Sequence, residues 1–155
     1  MLRTLRVLHK RPSASALEIN RSYTLMSAAK LIVVLTATVF LLYGIGFLFA
    51  PGQLSELVTG SSPTSPSGLI DMRSTYGGMS IAVGILLFLV SRTHLKLGLS
   101  GVLIMMASMA ITRTCGIFID GSANNLMFIY LALEVSVASA AGVLMLRQNM
   151  VHGLN

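Results

Sequence analysis

Four long apolar runs constrain the fold of this chain more than any other feature of its sequence. They cover about residues 31–50, 71–90, 97–119 and 126–146. A helix needs about 20 residues to cross the roughly 30 Å hydrocarbon layer of a bilayer. The mainly apolar part of the second run covers residues 76–90, which would span about 22 Å, so this helix is predicted to begin near Asp71. The sequence therefore predicts an all-α protein, a four-helix transmembrane bundle.

Composition and loop length support this fold. Hydrophobic residues make up 54% of the 155 residues and charged residues only 10%, whereas about one quarter of the residues in a soluble domain are charged. A water-soluble core is therefore excluded. The connections after the second and third spans are short, which predicts antiparallel neighbouring helices with up-down topology. The connection after the first span contains a Ser- and Pro-rich segment, residues 60–68, which predicts an irregular loop.

The distribution of Lys and Arg predicts the orientation. Of eleven such residues, six precede the first span, two lie between the second and third spans, and Arg147 follows the fourth. Basic residues near membrane ends are retained on the cytoplasmic side, so both termini are predicted to be cytoplasmic. The remaining two, Arg73 and Arg113, are expected near the outer surface.

Three segments follow from these boundaries. Residues 1–30 form a basic cytoplasmic tail, residues 31–146 form the bundle, and residues 147–155 form a short cytoplasmic C-terminal tail. Basic flanks are common at cytoplasmic ends, which favours a topology-setting role for the first tail. The alternative is an interfacial helix bound to anionic membrane lipids, because Leu2, Leu5 and Leu8 fall on one side of a helix.

Several chemistries do not fit the composition. All three histidines lie outside the apolar runs, where no pair shares a face of a membrane helix to ligate haem or a metal ion. The single cysteine, Cys115, cannot form an internal disulfide. Nucleic-acid binding requires a broader basic surface, and topology already explains the charge of the tail. We therefore expect no metal site, no cofactor and no nucleic-acid partner.

Two ionisable residues lie within predicted spans, Arg113 in the third and Glu134 in the fourth. Such a residue costs about 2.5 to 3.5 kcal/mol on insertion scales, so it usually faces the bundle interior and finds a partner. At the helical rise, Arg113 lies about 9 Å and Glu134 about 12 Å from the outer end of its span. A long arginine side chain covers this difference, so the two residues are predicted to be in contact.

Helical spacing extends the pair to a larger polar site. On the third span, Arg113 shares a face with Gly116 and Asp120, and on the fourth Glu134 shares a face with Tyr130. The predicted outer pocket, for an amphiphile or as a buried polar cluster, comprises Asp71, Arg73, Tyr76, Arg113, Asp120, Tyr130 and Glu134. The alternative is that the pair simply locks two helices together. Close helix packing is predicted at small residues, namely Gly77, Gly78, Gly116 and Gly121.

Two motifs and one acidic residue also resemble a known family. They are D-M-R-S-T-Y-G-G at residues 71–78, R-T-C-G-I-F-I-D-G at residues 113–121, and Glu134 within the fourth span. The chain resembles, over about residues 31–146, the small bacterial membrane proteins called domain of unknown function family 4345. The resemblance implies a four-helix protein of the bacterial inner membrane, with no settled activity and no cofactor. The residues that match the pattern are Arg73, Tyr76, Gly77, Arg113, Asp120, Gly121 and Glu134.

Three classes of function are compatible with these features. Small size and the lack of a recognisable catalytic set favour an accessory or assembly subunit, which packs against a larger membrane protein or a second copy. The second class is a binding protein or enzyme for a lipid, quinone or other amphiphile, with Arg113 and Arg73 holding an anionic or carbonyl group and Glu134 as acceptor or acid/base. The third is a proton-coupled carrier that uses Glu134, although four spans leave little room for alternating access without dimerisation.

Overall fold

The computed structural model describes residues 14–152, and this part of the chain is helical with no strand. The all-helical prediction is therefore confirmed for these residues. In chain order the helices are α1 (Ala14–Phe49), α2 (Pro51–Thr59), α3 (Pro66–Met72), a π-helical segment (Arg73–Gly78), α4 (Met79–Thr93), α5 (Leu95–Asp120) and α6 (Asn125–His152).

Four stretches of helix are long and apolar enough to cross a membrane. They are Ser22–Phe49, Pro66–Thr93, Leu95–Asp120 and Asn125–Met150. Large apolar side chains such as Val39, Ile104 and Leu133 are more than half exposed on the outside of the helices. Soluble monomers rarely expose wide apolar surfaces, so these faces suit a lipid environment. The structure indicates a multi-pass membrane protein.

The helices pack as two close pairs, α1 with α4 and α5 with α6. The first pair approaches closely because glycines stand where the helices meet. A Cβ atom added to Gly84 of α4 would lie 2.8 Å from the carbonyl oxygen of Ala37 on α1, and one added to Gly44 would lie 2.7 Å from the carbonyl oxygen of Gly77. Small residues of this kind let two backbones approach in a membrane. Fully buried side chains from α1 and α5, including Val33, complete the core with α6.

A short helix, α2, covers one end of the bundle. Helix α2 ends at Gly60, whose positive φ of 81° is a conformation that glycine adopts without steric cost. The buried Ser55 hydroxyl donates to the carbonyl oxygen of Ser61 at 2.9 Å. Asn124, in the connection between α5 and α6, donates from Nδ2 to the carbonyl oxygen of Val58 at 3.0 Å. This hydrogen bond joins α2 to the second helix pair, and we refer to this end as the α2 end.

The helix boundaries differ from the predicted segments in three places. The predicted boundary at residue 30 falls inside α1, which is continuous from Ala14. Within the predicted irregular loop, residues 60–68, helix resumes at Pro66, where the Ser65 hydroxyl accepts the Gly68 amide as an N-cap. Helix α6 continues to His152, within the predicted C-terminal tail. The leucines that motivated an interfacial helix lie outside the described residues.

Candidate functional site

Arg113 on α5 and Glu134 on α6 form the one ion pair among the described residues. Arg113 Nη2 lies 2.6 Å from Glu134 Oε1, and Nε donates to both carboxylate oxygens at 3.0 and 3.1 Å. The Glu134 side chain is 6% exposed and that of Arg113 is 20% exposed. Charge-assisted hydrogen bonds of this kind are about twice as strong as neutral ones. The predicted contact between these residues is confirmed.

Two further side chains contact the arginine, and a third lies near it. Its Nη1 donates to Met127 Sδ at 3.1 Å, and its guanidinium carbon lies 5.3 Å from the centre of the Tyr130 ring. Met127 and Tyr130 precede Glu134 at helical spacing, so α6 presents all three on one face. Tyr43 on α1 lies within electrostatic range of Arg113 and Tyr130. The guanidinium is therefore held mainly by α6, with α1 beside it.

Arg73 has a different role from Arg113. Its Nη1 donates to the carbonyl oxygen of Leu48, near the C-terminal end of α1. The last carbonyls of a helix lack intrahelical donors, and Pro51 at the start of α2 supplies no N–H. A cation is also favourable at this end of a helix. Arg73 thus caps α1 from the π-helical segment, and among the described residues no hydrogen bond joins it to Glu134.

A row of aromatic rings lies between the π-helical segment and the ion pair. The Tyr76 ring stacks on Phe47 with centroids 5.2 Å apart, and Phe47 in turn lies 4.8 Å from Tyr43. Phe47 is almost fully buried, whereas Tyr76 is partly exposed. Through Phe47, Tyr76 of the π-helical segment is thus connected to Tyr43 of α1.

The two predicted aspartates lie at the surface. Asp71 accepts a hydrogen bond from Thr75 Oγ1 at 3.3 Å, and Asp120 is the exposed last residue of α5. The structure thus brings together Arg113, Tyr130 and Glu134. It connects Tyr76 to Tyr43 of α1 through Phe47, and it places Asp71, Arg73 and Asp120 elsewhere at the α2 end.

The comparison with known families assigns the chain to one of them. The family model described as domain of unknown function (DUF4345) matches residues 28–145, which includes the ion pair, the Arg73 cap and the aromatic row. The chain belongs to this family. Neither a curated protein nor a solved structure matches it significantly.

Within this DUF4345 chain, the four glycines predicted to pack closely behave differently. Gly77 is buried, and a Cβ there would lie 3.3 Å from the Leu48 amide nitrogen. A Cβ on Gly78 or Gly116 would meet no other helix within 4 Å. Gly121 ends α5 with φ 65° and ψ −167°, a conformation that is essentially restricted to glycine. Close packing thus applies to Gly77, while Gly121 is required by its backbone conformation.

Sequence reasoning missed the contribution of α1 to this site. The first apolar run contains Tyr43, Gly44 and Phe47 but no charged residue that would have indicated a site. One signal was present, because Tyr43 and Phe47 are four residues apart and therefore share a helix face. The signal is weak, since aromatic residues at this spacing are common in packed helices.

The chemistry left to the pair is restricted. Two guanidinium nitrogens are occupied by the carboxylate, and among the described residues no buried side-chain N or O atom lacks a hydrogen-bond partner. The described residues also contain no group of three or more His, Cys, Asp or Glu side chains able to hold a metal ion. Arg113 Nη1 donates only a weak hydrogen bond to Met127 Sδ, because a thioether is a weak acceptor. Of the contacts of this arginine, it is the one that a stronger acceptor could most easily replace.

Proposed function

We propose that this DUF4345 protein is an accessory or assembly subunit of a complex in the bacterial inner membrane. In this proposal the four spans form an antiparallel up-down bundle with both termini in the cytoplasm. The Arg113–Glu134 pair holds α5 and α6 in register. The observation that carries the proposal is the bidentate contact between Arg113 and Glu134. Both carboxylate oxygens of Glu134 accept hydrogen bonds from Arg113, so the carboxylate is already occupied within the protein.

The surface of the second helix pair supports a protein partner. In the most apolar part of each span, the buried share falls from 28% in the first to 17% in the third and 11% in the fourth. Within residues 14–152, α5 and α6 are therefore the helices least covered by other parts of the protein. Ile111 and Phe118 on α5 are among their exposed apolar side chains. A larger membrane protein that packs on this side would extend the bundle by van der Waals contact, which drives helix association in lipid.

Site-specific photocrosslinking in cells tests this role. A crosslinking residue at Ile111 on α5 is expected to give a discrete protein adduct, while one at Leu42 on α1 should give lipid adducts only. The two positions are matched, with 63% and 64% exposure. An adduct of twice the chain mass would show that the partner is a second copy of this chain and not a larger protein. Lipid adducts alone from both positions would contradict the subunit role.

Cysteine labelling tests the proposed orientation. In a Cys115→Ser background, a cysteine at Ser62 should react with an impermeant reagent applied outside, and cysteines at Ser15 and His152 should not. The reason is the predicted retention of the basic flanks in the cytoplasm. Reaction at His152 without reaction at Ser62 would reverse the orientation and put the α2 end in the cytoplasm.

A second candidate function is binding of an amphiphile at Arg113. The specific observation in its favour is that, among the described residues, the Met127 thioether is the only acceptor for Nη1. The group lies beside the Tyr130 ring, and the arginine side chain is 20% exposed. A carbonyl or carboxylate oxygen of a lipid or quinone is a stronger acceptor. Extraction of the purified protein followed by mass spectrometry tests this. A lipid or quinone that is retained by the native chain and lost from a folded Arg113→Met/Glu134→Leu variant would favour binding over subunit packing.

A further inference from the structure

A cavity lies between α1, α5 and α6, at the end of the helix bundle that is opposite the Arg113–Glu134 pair. Its volume is about 220 Å³, and its lining consists of Ser22, Leu25, Met26, Leu95, Lys96, Gln148 and Asn149. These residues lie within about one helical turn of the ends of their spans. The cavity is therefore at the level of the lipid headgroups.

The lining of the cavity is amphipathic. Leu25 is buried, Met26 is about half exposed, and Leu95 completes an apolar part. Lys96 and Asn149 belong to the polar part. A ligand that fits this lining must carry a polar or anionic group joined to an apolar one. The cavity is below the roughly 300 to 1,000 Å³ of sites that enclose a whole small molecule, so only part of such a ligand would enter it.

The charge around the cavity favours an anion. Among the side chains that the structure describes near this end of the helices, the ionised ones are Lys30, Arg92, Lys96 and Arg147. Of the five acidic residues in the chain, Glu56, Asp71, Asp120 and Glu134 belong to the α2 end and the ion pair. The fifth, Glu18, precedes Ser22 on α1 together with Arg21, whose charge is opposite. In addition, α5 begins at Leu95 without a side-chain cap, so its first amide groups add to the positive potential beside Lys96.

We infer that this cavity binds the headgroup of an anionic phospholipid. The phosphate lies against Lys96 and the polar part of the lining, the glycerol region contacts Leu25 and Leu95, and the acyl chains run along the exposed apolar surface past Met26. Basic pockets between membrane helices recognise anionic headgroups in this way. The site is separate from the Arg113–Glu134 pair and does not depend on the proposed subunit role.

Quenching of a single tryptophan by brominated lipid tests the inference. The chain contains no tryptophan, so Met26→Trp gives a sole reporter beside the cavity, and Ile104→Trp gives a matched reporter on an exposed face of α5. Both proteins are reconstituted in phosphatidylcholine bilayers that contain brominated phosphatidylglycerol or brominated phosphatidylcholine. Preferential quenching by phosphatidylglycerol is expected from Met26→Trp and not from Ile104→Trp.

Charge variants identify the residue responsible. Adding Lys96→Gln to the Met26→Trp protein should lower the preference for phosphatidylglycerol about fivefold, which corresponds to about 1 kcal/mol for one basic residue near an anionic surface. Adding Arg92→Gln should leave the preference unchanged, because Arg92 lies 4.5 Å over the Phe88 ring and does not line the cavity. Circular dichroism and gel filtration establish that each variant is folded.

Three results would overturn the inference. Equal preference at both reporters would show that the lipid is enriched around the whole protein and not in the cavity. A preference that survives Lys96→Gln in a folded protein would remove the proposed contact. Equal quenching of the Met26→Trp reporter by the two brominated lipids would show that the cavity does not select the anionic headgroup.

Discussion

Replacement of Glu134 by Gln should be the most damaging single exchange of an acidic side chain in the described part of this protein. The exchange keeps the shape of the side chain and removes the charge that faces Arg113 at 2.6 Å. Breaking a buried ion pair by removing one partner costs about 3 to 5 kcal/mol, because the remaining charge is left uncompensated. Arg113 is 20% exposed, so partial solvation places the expected loss near the lower limit, about 3 kcal/mol.

Equilibrium unfolding in mixed micelles, followed by circular dichroism, measures this loss. Arg113→Met/Glu134→Leu provides the decisive comparison, since buried ion pairs can often be exchanged for apolar residues at little cost. The double variant should therefore be more stable than Glu134→Gln. Glu56→Gln, an exposed carboxylate on α2, is the matched control and should stay within about 0.5 kcal/mol of the native chain.

Two results would refute this reasoning. A Glu134→Gln protein as stable as the Glu56→Gln control would show that water or lipid headgroups solvate Arg113 fully. A double variant less stable than Glu134→Gln would show that α5 and α6 need the polar contact itself and not merely the absence of an unpaired charge.

Two further predictions use the same unfolding assay. Gly84→Ala should cost about 1 to 3 kcal/mol, because the new Cβ would meet the rigid Ala37 carbonyl, while the control Gly101→Ala, with its nearest neighbour 3.7 Å away, should be neutral or stabilising; equal loss in both would contradict the close α1–α4 approach. Arg73→Gln should cost about 1 kcal/mol through loss of the α1 cap, and an unchanged stability would show that water caps Leu48 equally well.

The main helices could be predicted from the sequence because membrane insertion requires long apolar runs. Helix α2 and the π-helical segment could not. Helix α2 is short and partly polar, and its position depends on the hydrogen bond from Asn124 to Val58, which joins residues 66 apart in the chain. Local sequence patterns do not predict a contact between residues so far apart in the chain. The extension of α1 to Ala14 was hidden for a related reason, since its basic residues resemble a tail when hydropathy alone defines the helix.

The candidate site shows the same division between local and distant information. The Arg113–Glu134 contact was predictable because both charges lie inside spans, where an unpaired charge is costly, and because their depths agree. The position of Arg73 was not predictable, since its acceptor is a backbone carbonyl and every residue supplies one. An arginine near a membrane helix end can be satisfied by main-chain oxygens, whereas one deeper in the bundle meets carbonyls already used by the helices. Only Arg113 therefore requires a carboxylate partner, which is why Glu134 is expected to tolerate replacement less well than the exposed carboxylates at the α2 end.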